Sequence, residues 1–323
     1  MRLVFKILLG LGVLVFLVVG VGVYVLKTSF PNVGDAPDVQ IGATPERIAR
    51  GRYLAHHVTV CIDCHSTRDW DHFAAPPLVG TEGKGGEVFP EEAGFSGTLI
   101  APNITPAALG NWSDGEVVRA ITSGVNKKGD ALFPLMPYTV YAQMTQEDVY
   151  SVIAYVRTLK PIENTPPRSS LSFPMNWIVR TIPKPYAAPT PPDQSNYVVY
   201  GKYLATIGGC GECHTPHDHG TPLPGMHMAG GFEFLLPTGK VTRAANITPD
   251  METGIGHWKR AYFIAQFKRF DKPEALKFPI QGGYNTVMPW TMYAGMTESD
   301  LGAIFDYLQT VPPVKNGVDK FPE

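Results

Sequence analysis

The stretch Cys61-Ile62-Asp63-Cys64-His65 decides how this chain is read, and it returns as Cys210-Gly211-Glu212-Cys213-His214. In C-x-x-C-H the two thiols are spaced to reach the two vinyl groups of one haem, and the adjoining His is placed to coordinate its iron. Two copies imply two covalently bound haems c, one on Cys61 and Cys64 and one on Cys210 and Cys213, with His65 and His214 as axial ligands. Two other uses of C-x-x-C compete: a thioredoxin-like redox pair, or a single zinc site made of all four cysteines in the chain. Neither needs a His after each second Cys, and both copies have one.

Outward from these motifs the two halves repeat in the same internal order. RGRYLAHHVTVCIDCHST from Arg50 matches YGKYLATIGGCGECHTP from Tyr200, and APNITP from Ala101 matches AANITPD from Ala244. LGNWSDGEVVRAI from Leu109 then matches IGHWKRAYFIAQF from Ile255. Last, LMPYTVYAQMTQEDVYSVIAYVRTLKP from Leu135 matches VMPWTMYAGMTESDLGAIFDYLQTVPP from Val287. Each unit predicts three main helices. The first runs into the haem motif. The second begins near Trp112 or Trp258, with Val117, Val118 and Ile121, or Phe263, Ile264 and Phe267, at helical spacing. The third opens on a capping pattern, Thr145 to Asp148 or Thr297 to Asp300, and stops before Pro161 or Pro312. No run alternates with period two, so the expected class is all-α, with domains over residues 45–160 and 197–315.

Residues 161–196 hold nine prolines, which exclude a long helix. LSFPMNWIVRTIPKPY is nonetheless too apolar for a free linker and is expected to pack over one or both domains. At the other end, residues 7–26 carry no charge, between Arg2 and Lys6 before and Lys27 after. As a helix they span about 30 Å, a bilayer core. The run is longer than a signal-peptide core and no small-x-small cleavage site follows. Residues 1–30 are therefore expected to be a retained transmembrane anchor, its basic N-terminus cytoplasmic and the haem domains on the periplasmic side. A net charge of −2 argues against a nucleic-acid partner.

A haem held by one His keeps an open face, whereas a second strong ligand restricts it to electron transfer. Met136 and Met288, each followed by Pro, match across the halves and precede the last helix, so they are the expected sixth ligands. Met144 and Met296 also match and are expected to pack inside. Asn103, Trp112, Arg119, Asn246 and Trp258 are candidate contacts to haem propionates, with turn capping and core packing as the alternative. His217, His219 and His227, near the second motif, are read as loop residues, with a metal site as the alternative.

The run A-x-N-I-T-P, then G-x-W, M-P-[YW] and a last Y-x-x-x-[LV]-x-P helix resembles class I cytochromes c. More specifically it resembles the cytochrome c subunit of membrane-bound alcohol and gluconate dehydrogenases, over about residues 45–315. The resemblance implies two tandem class I cytochrome c domains, with Cys61, Cys64, His65 and Met136 on one haem and Cys210, Cys213, His214 and Met288 on the other. Such subunits usually carry three haems, and this sequence has two motifs. The expected role is a membrane-anchored, non-enzymatic carrier of single electrons. Its donor would be a dehydrogenase or quinol-oxidising complex, and its acceptor a terminal oxidase, another cytochrome or a reaction centre. The alternatives are a dihaem peroxidase and a fixed subunit of a dehydrogenase or respiratory supercomplex.

Overall fold

A computed structural model describes residues 2–218, 220–280 and 282–322. Helix α1 (Arg2–Ser29) is apolar, fully outside the core, and long enough to cross a membrane. The first half contributes α2 (Pro45–Tyr53), α3 (Cys61–Cys64), α4 (Pro106–Leu109), α5 (Asp114–Ser123), α6 (Tyr138–Tyr141) and α7 (Gln146–Val156). After α8 (Met175–Ile178) the second half follows with α9 (Tyr197–Ile207), α10 (Cys210–His214), α11 (Arg260–Lys268), α12 (Trp290–Tyr293) and α13 (Glu298–Leu308).

The all-α expectation is overturned. Among the described residues there is 41% helix with 8% strand in three small sheets, which makes this a mixed fold. Strand β1 (Val88–Phe89) pairs with β2 (Gly97–Ile100), which pairs with β3 (Ser170–Leu171), all antiparallel, with Val88 opposite Ile100 and Thr98 opposite Ser170. Hairpins β4 (His217–Asp218) with β5 (Thr221–Pro222), and β6 (Glu233–Leu235) with β7 (Val241–Arg243), complete the set. None exceeds four residues, too short for alternation to show in sequence, and β3 lies some seventy residues from its partner.

In each half the first helix crosses the last at a glycine. A methyl group on Gly51 would sit 1.7 Å from the Ser151 carbonyl oxygen, and one on Gly201 would sit 1.8 Å from that of Ala303, so only glycine lets α2 meet α7 and α9 meet α13. Thr145 and Thr297 accept the backbone N–H of Asp148 and Asp300 at 3.2 and 3.0 Å, capping α7 and α13 as their sequence predicts.

The halves interlock reciprocally. Tyr53, at the end of α2, donates its hydroxyl to Asp300 on α13 and accepts the Thr297 N–H at 3.1 Å. Tyr203, on α9, donates to Asp148 on α7 at 2.5 Å and accepts the Thr145 N–H at 3.2 Å. Each half thus completes the N-terminus of the other's last helix, and both contribute to one hydrophobic core.

One irregularity separates the repeats. Eleven positions lead from Arg50 to Cys61, but ten from the matching Tyr200 to Cys210. The extra residue is absorbed in a π-helical turn, Leu54–Val58, so the cysteine motif keeps its place. That turn also brings His57 Nδ1 to 2.8 Å from the Met292 carbonyl of the other half.

Residues 161–196 do pack against the protein. Beside the β3 pairing, Val179 is buried, Tyr186 donates to the Met144 carbonyl at 2.9 Å, and Arg180 reaches the end of α1.

Candidate functional site

Each C-x-x-C-H motif forms a short helix, α3 or α10, entered through a residue in the left-handed region, Val60 at φ 45° and Gly209 at φ 68°. No disulfide joins any of the four cysteines. Burial pushes Cys64 up to about 12 and Cys210 up to about 11, the reverse of the lowered pKa that activates a thioredoxin-like cysteine. Among the described residues no three His, Cys, Asp or Glu side chains gather as a metal site, so the two cysteine pairs do not join in one four-thiolate cluster. His217 and His227 join no such group either, and His219 lies outside the described residues.

Both motif histidines are oriented in the same way. His65 Nδ1 lies 2.8 Å from the Pro102 carbonyl oxygen and His214 Nδ1 lies 2.7 Å from that of Ala245. A carbonyl can only accept, so Nδ1 carries the proton and Nε2 keeps its lone pair for a metal ion. The accepting carbonyl belongs to the x of A-x-N-I-T-P, which was the meaning of that motif the sequence did not disclose. The strap is held from behind by Gly85 and Gly230, whose N–H groups donate to the carbonyls of His65 and His214 at 2.8 and 2.7 Å. A methyl group on either would come within 2.4 Å of the Pro102 or Ala245 carbonyl carbon.

Asn103 and Asn246 shape the same strap. Asn103 Oδ1 accepts from the Thr105 N–H and hydroxyl, both at 2.8 Å, and its Nδ2 donates to the carbonyls of Ile162 and Asn164. Asn246 repeats this with Thr248, Val314 and Asn316. A propionate would have to displace one of these bonds. Trp112 and Trp258 pack partly buried against the core. Arg119 donates through one terminal nitrogen to the Asn126 carbonyl at 2.8 Å, while its buried Nε has no hydrogen-bond partner. An orphaned guanidinium N–H of this kind suits an anionic group such as a propionate.

Met136 and Met288 sit in matching turns. The N–H of Tyr138 donates to the Met136 carbonyl at 2.7 Å and that of Trp290 to the Met288 carbonyl at 2.8 Å. The prolines between them have φ −77°, ψ 61° and φ −79°, ψ 67°, an inverse γ-turn that proline's ring favours by fixing φ. Both sulfur-bearing residues are partly exposed, whereas Met144 and Met296 are buried in the core at 1% and 2% exposure.

The methionine turn is tied to the cysteine motif by a tyrosine that sequence reasoning missed. Tyr141 donates to the Thr59 carbonyl at 2.8 Å, and Tyr293 donates to the Gly208 carbonyl at 2.7 Å. Each acceptor lies two positions before a first cysteine. The signal was present in the repeated Y-A-x-M, but it was read only for its Met. The second turn is additionally hung on the first half: Asn285 Oδ1 accepts the Ala74 N–H at 2.8 Å and Nδ2 donates to the His72 carbonyl at 3.0 Å. A methyl group on Gly208 would lie 3.4 Å from the Val58 carbonyl oxygen, so the chains entering the two motifs come close at that point.

Each half thus brings together a C-x-x-C-H helix, an oriented His and a Met-Pro turn, the residue types that c-type cytochromes use. The comparisons agree with that class. The chain is 28% identical over 284 residues to the cytochrome c subunit of a quinone-dependent alcohol dehydrogenase from Gluconacetobacter polyoxogenes, covering 83% of this chain and 56% of the relative. It is 29% identical over 308 residues to the cytochrome subunit of a fructose dehydrogenase from Gluconobacter japonicus, covering 89% and 58%. A diheme cytochrome c-type protein of Cereibacter sphaeroides is 29% identical over 209 residues, 58% of this chain and 63% of the relative. No family model matches. The resemblance to dehydrogenase cytochrome c subunits therefore holds over most of the chain, which spans a little over half the length of those subunits. Cytochrome c relatives imply covalently bound haem c.

Proposed function

We propose that this protein is a membrane-anchored dihaem c-type cytochrome that passes single electrons from a dehydrogenase or quinol-oxidising donor to an oxidase or another cytochrome. The observation that carries this reading is the duplication of a whole ligand assembly, with cysteine helix, carbonyl-oriented His and tyrosine-tied Met-Pro turn in each half. Cys61 and Cys64 would hold one haem by thioethers, with His65 and Met136 on its iron. Cys210, Cys213, His214 and Met288 would hold the other. A bound haem c supplies a one-electron iron couple. The chain's own residues do the rest: Pro102 and Ala245 orient the imidazoles, the γ-turns present the methionines, and Arg119 Nε–H donates a hydrogen bond to an anionic edge group.

Filling both axial positions favours electron transfer over the peroxidase reading, which requires an open or displaceable face. Relatives that are dehydrogenase subunits support a dehydrogenase as donor. We assign one haem domain to residues 45–160 and one to 197–315. The retained anchor is supported by the Arg180 bonds to the end of α1, and Arg2 and Lys6 ahead of it favour a cytoplasmic N-terminus with the haem domains on the periplasmic side.

Methionine ligation is tested in the purified full-length protein. Met136→Ala and Met288→Ala are each expected to remove about half of the near-infrared sulfur-to-iron band and to lower one reduction potential. An undiminished band in both variants would remove these residues as ligands.

A further inference from the structure

We infer that the loop and short helix at residues 173–178 form a second membrane contact, an aromatic foot that rests on the lipid surface beside the emerging end of α1. This rests on the reading of α1 as a membrane span. Phe173, Trp177 and Ile178 are 73%, 37% and 45% exposed, an apolar cluster on a segment otherwise fastened down. The rings of Phe173 and Trp177 meet edge to face at 5.6 Å, so they present one continuous surface. Behind them Val179 is buried, and the Ser172 N–H donates to the Ser96 carbonyl at 3.0 Å, which fixes the cluster to the first half.

Arg180 sets where this surface stands relative to a bilayer. Its Nε donates to the Leu26 carbonyl at 3.1 Å, and its Nη2 donates to the Lys27 carbonyl at 3.2 Å and to that of Phe30. The Leu26 and Lys27 carbonyls belong to the last turn of α1, where a helix lacks its own donors and carries partial negative charge, so a guanidinium is well matched there. A span whose apolar run finishes at Leu26 leaves the membrane at that level, and Arg180 holds the 173–178 cluster at the same height. Exposed Tyr24 on α1 and Trp177 then both fall where amphipathic aromatic rings favour the headgroup region.

Charge points to the same occupant. From residue 164 to residue 192 the chain carries Arg168, Arg180 and Lys184 and no Asp or Glu, and the exposed Glu91 of the neighbouring turn is engaged by the Ser172 hydroxyl at 3.3 Å. A basic, aromatic edge next to a membrane helix suits anionic lipid headgroups. The foot would hold the haem domains at a fixed tilt instead of letting them swing on the tether.

The test uses the full-length protein in nanodiscs of phosphatidylcholine and phosphatidylglycerol, with a photo-crosslinking phenylalanine analogue placed in turn at Phe16, Ile178 or Met251. All three side chains are exposed, so the analogue leaves the core intact. Lipid adducts at Phe16 and Ile178, and none at Met251, are expected. Adducts at Phe16 alone overturn the foot and leave the span standing, whereas adducts at neither Phe16 nor Ile178 overturn both. Equal labelling at Ile178 and Met251, or capture of a protein instead of lipid at Ile178 in native membranes, also overturns it.

Discussion

At the scale of single residues the site depends on main-chain groups as much as on the ligands themselves. The carbonyls of Pro102 and Ala245 choose the His tautomer, and Gly85 and Gly230 leave room for those carbonyls to approach. Gly85→Ala adds a left-handed penalty, at φ 70°, to a steric clash with Pro102. It is expected to cost roughly 2–4 kcal/mol in denaturant unfolding at unchanged m-value. A variant as stable as the parent would mean that the strap does not lie against this glycine. The candidate cysteines, histidines and Met-Pro pairs stand out in the sequence because the chemistry proposed for them is carried by side chains. The carbonyl of an unremarkable residue, such as Pro102 or Ala245, leaves no such mark, and A-x-N-I-T-P was read for its Asn instead.

Among elements, the long helices were legible, and the four-residue helices and the strands were not. Capping threonines and helical spacing announced α5, α7, α11 and α13, whereas two-residue strands such as β1 and β3 are defined by a distant partner and not by their own pattern. The π-turn at Leu54–Val58 was visible only as a one-residue mismatch between the repeats. The reciprocal tyrosines lie at matching places in the two first helices, but their crossing to the opposite half is a tertiary fact. Tyr53→Phe and Tyr203→Phe each remove a hydrogen bond to a carboxylate, with an expected loss of about 1.5–3 kcal/mol apiece. The double variant is expected to depart from the sum, since Arg50 lies over the Tyr53 ring and pairs with Asp148, the acceptor of Tyr203. Calorimetric unfolding would check this, and unchanged transitions in both single variants would show that the latch is not formed.

For the whole molecule, acid stability follows from the histidines at the junction of the halves. Burial, and then the neighbouring charges of His57 and Arg52, lower the pKa of His56 from 6.5 to about 4. Between those values the unfolded chain holds a proton that the folded one lacks. His56 is therefore expected to contribute a loss of up to about 3 kcal/mol as pH drops from 6.5 to 4, opposed between about 6 and 4 by Asp63, whose carboxyl burial raises to about 6. His56→Gln should flatten this slope when urea unfolding is compared at pH 7 and 4.5. A slope equal to that of the parent would show that His56 is protonated in the folded protein.

The account as a whole stands on two covalent haems in one chain. The most direct measurement is the intact mass of the full-length protein, made in a host that attaches haem c, combined with its alkaline pyridine haemochrome spectrum. The expected result is a mass gain of two haem equivalents with a haemochrome typical of thioether attachment. A gain of one or none, or stoichiometric zinc in its place, would contradict the account.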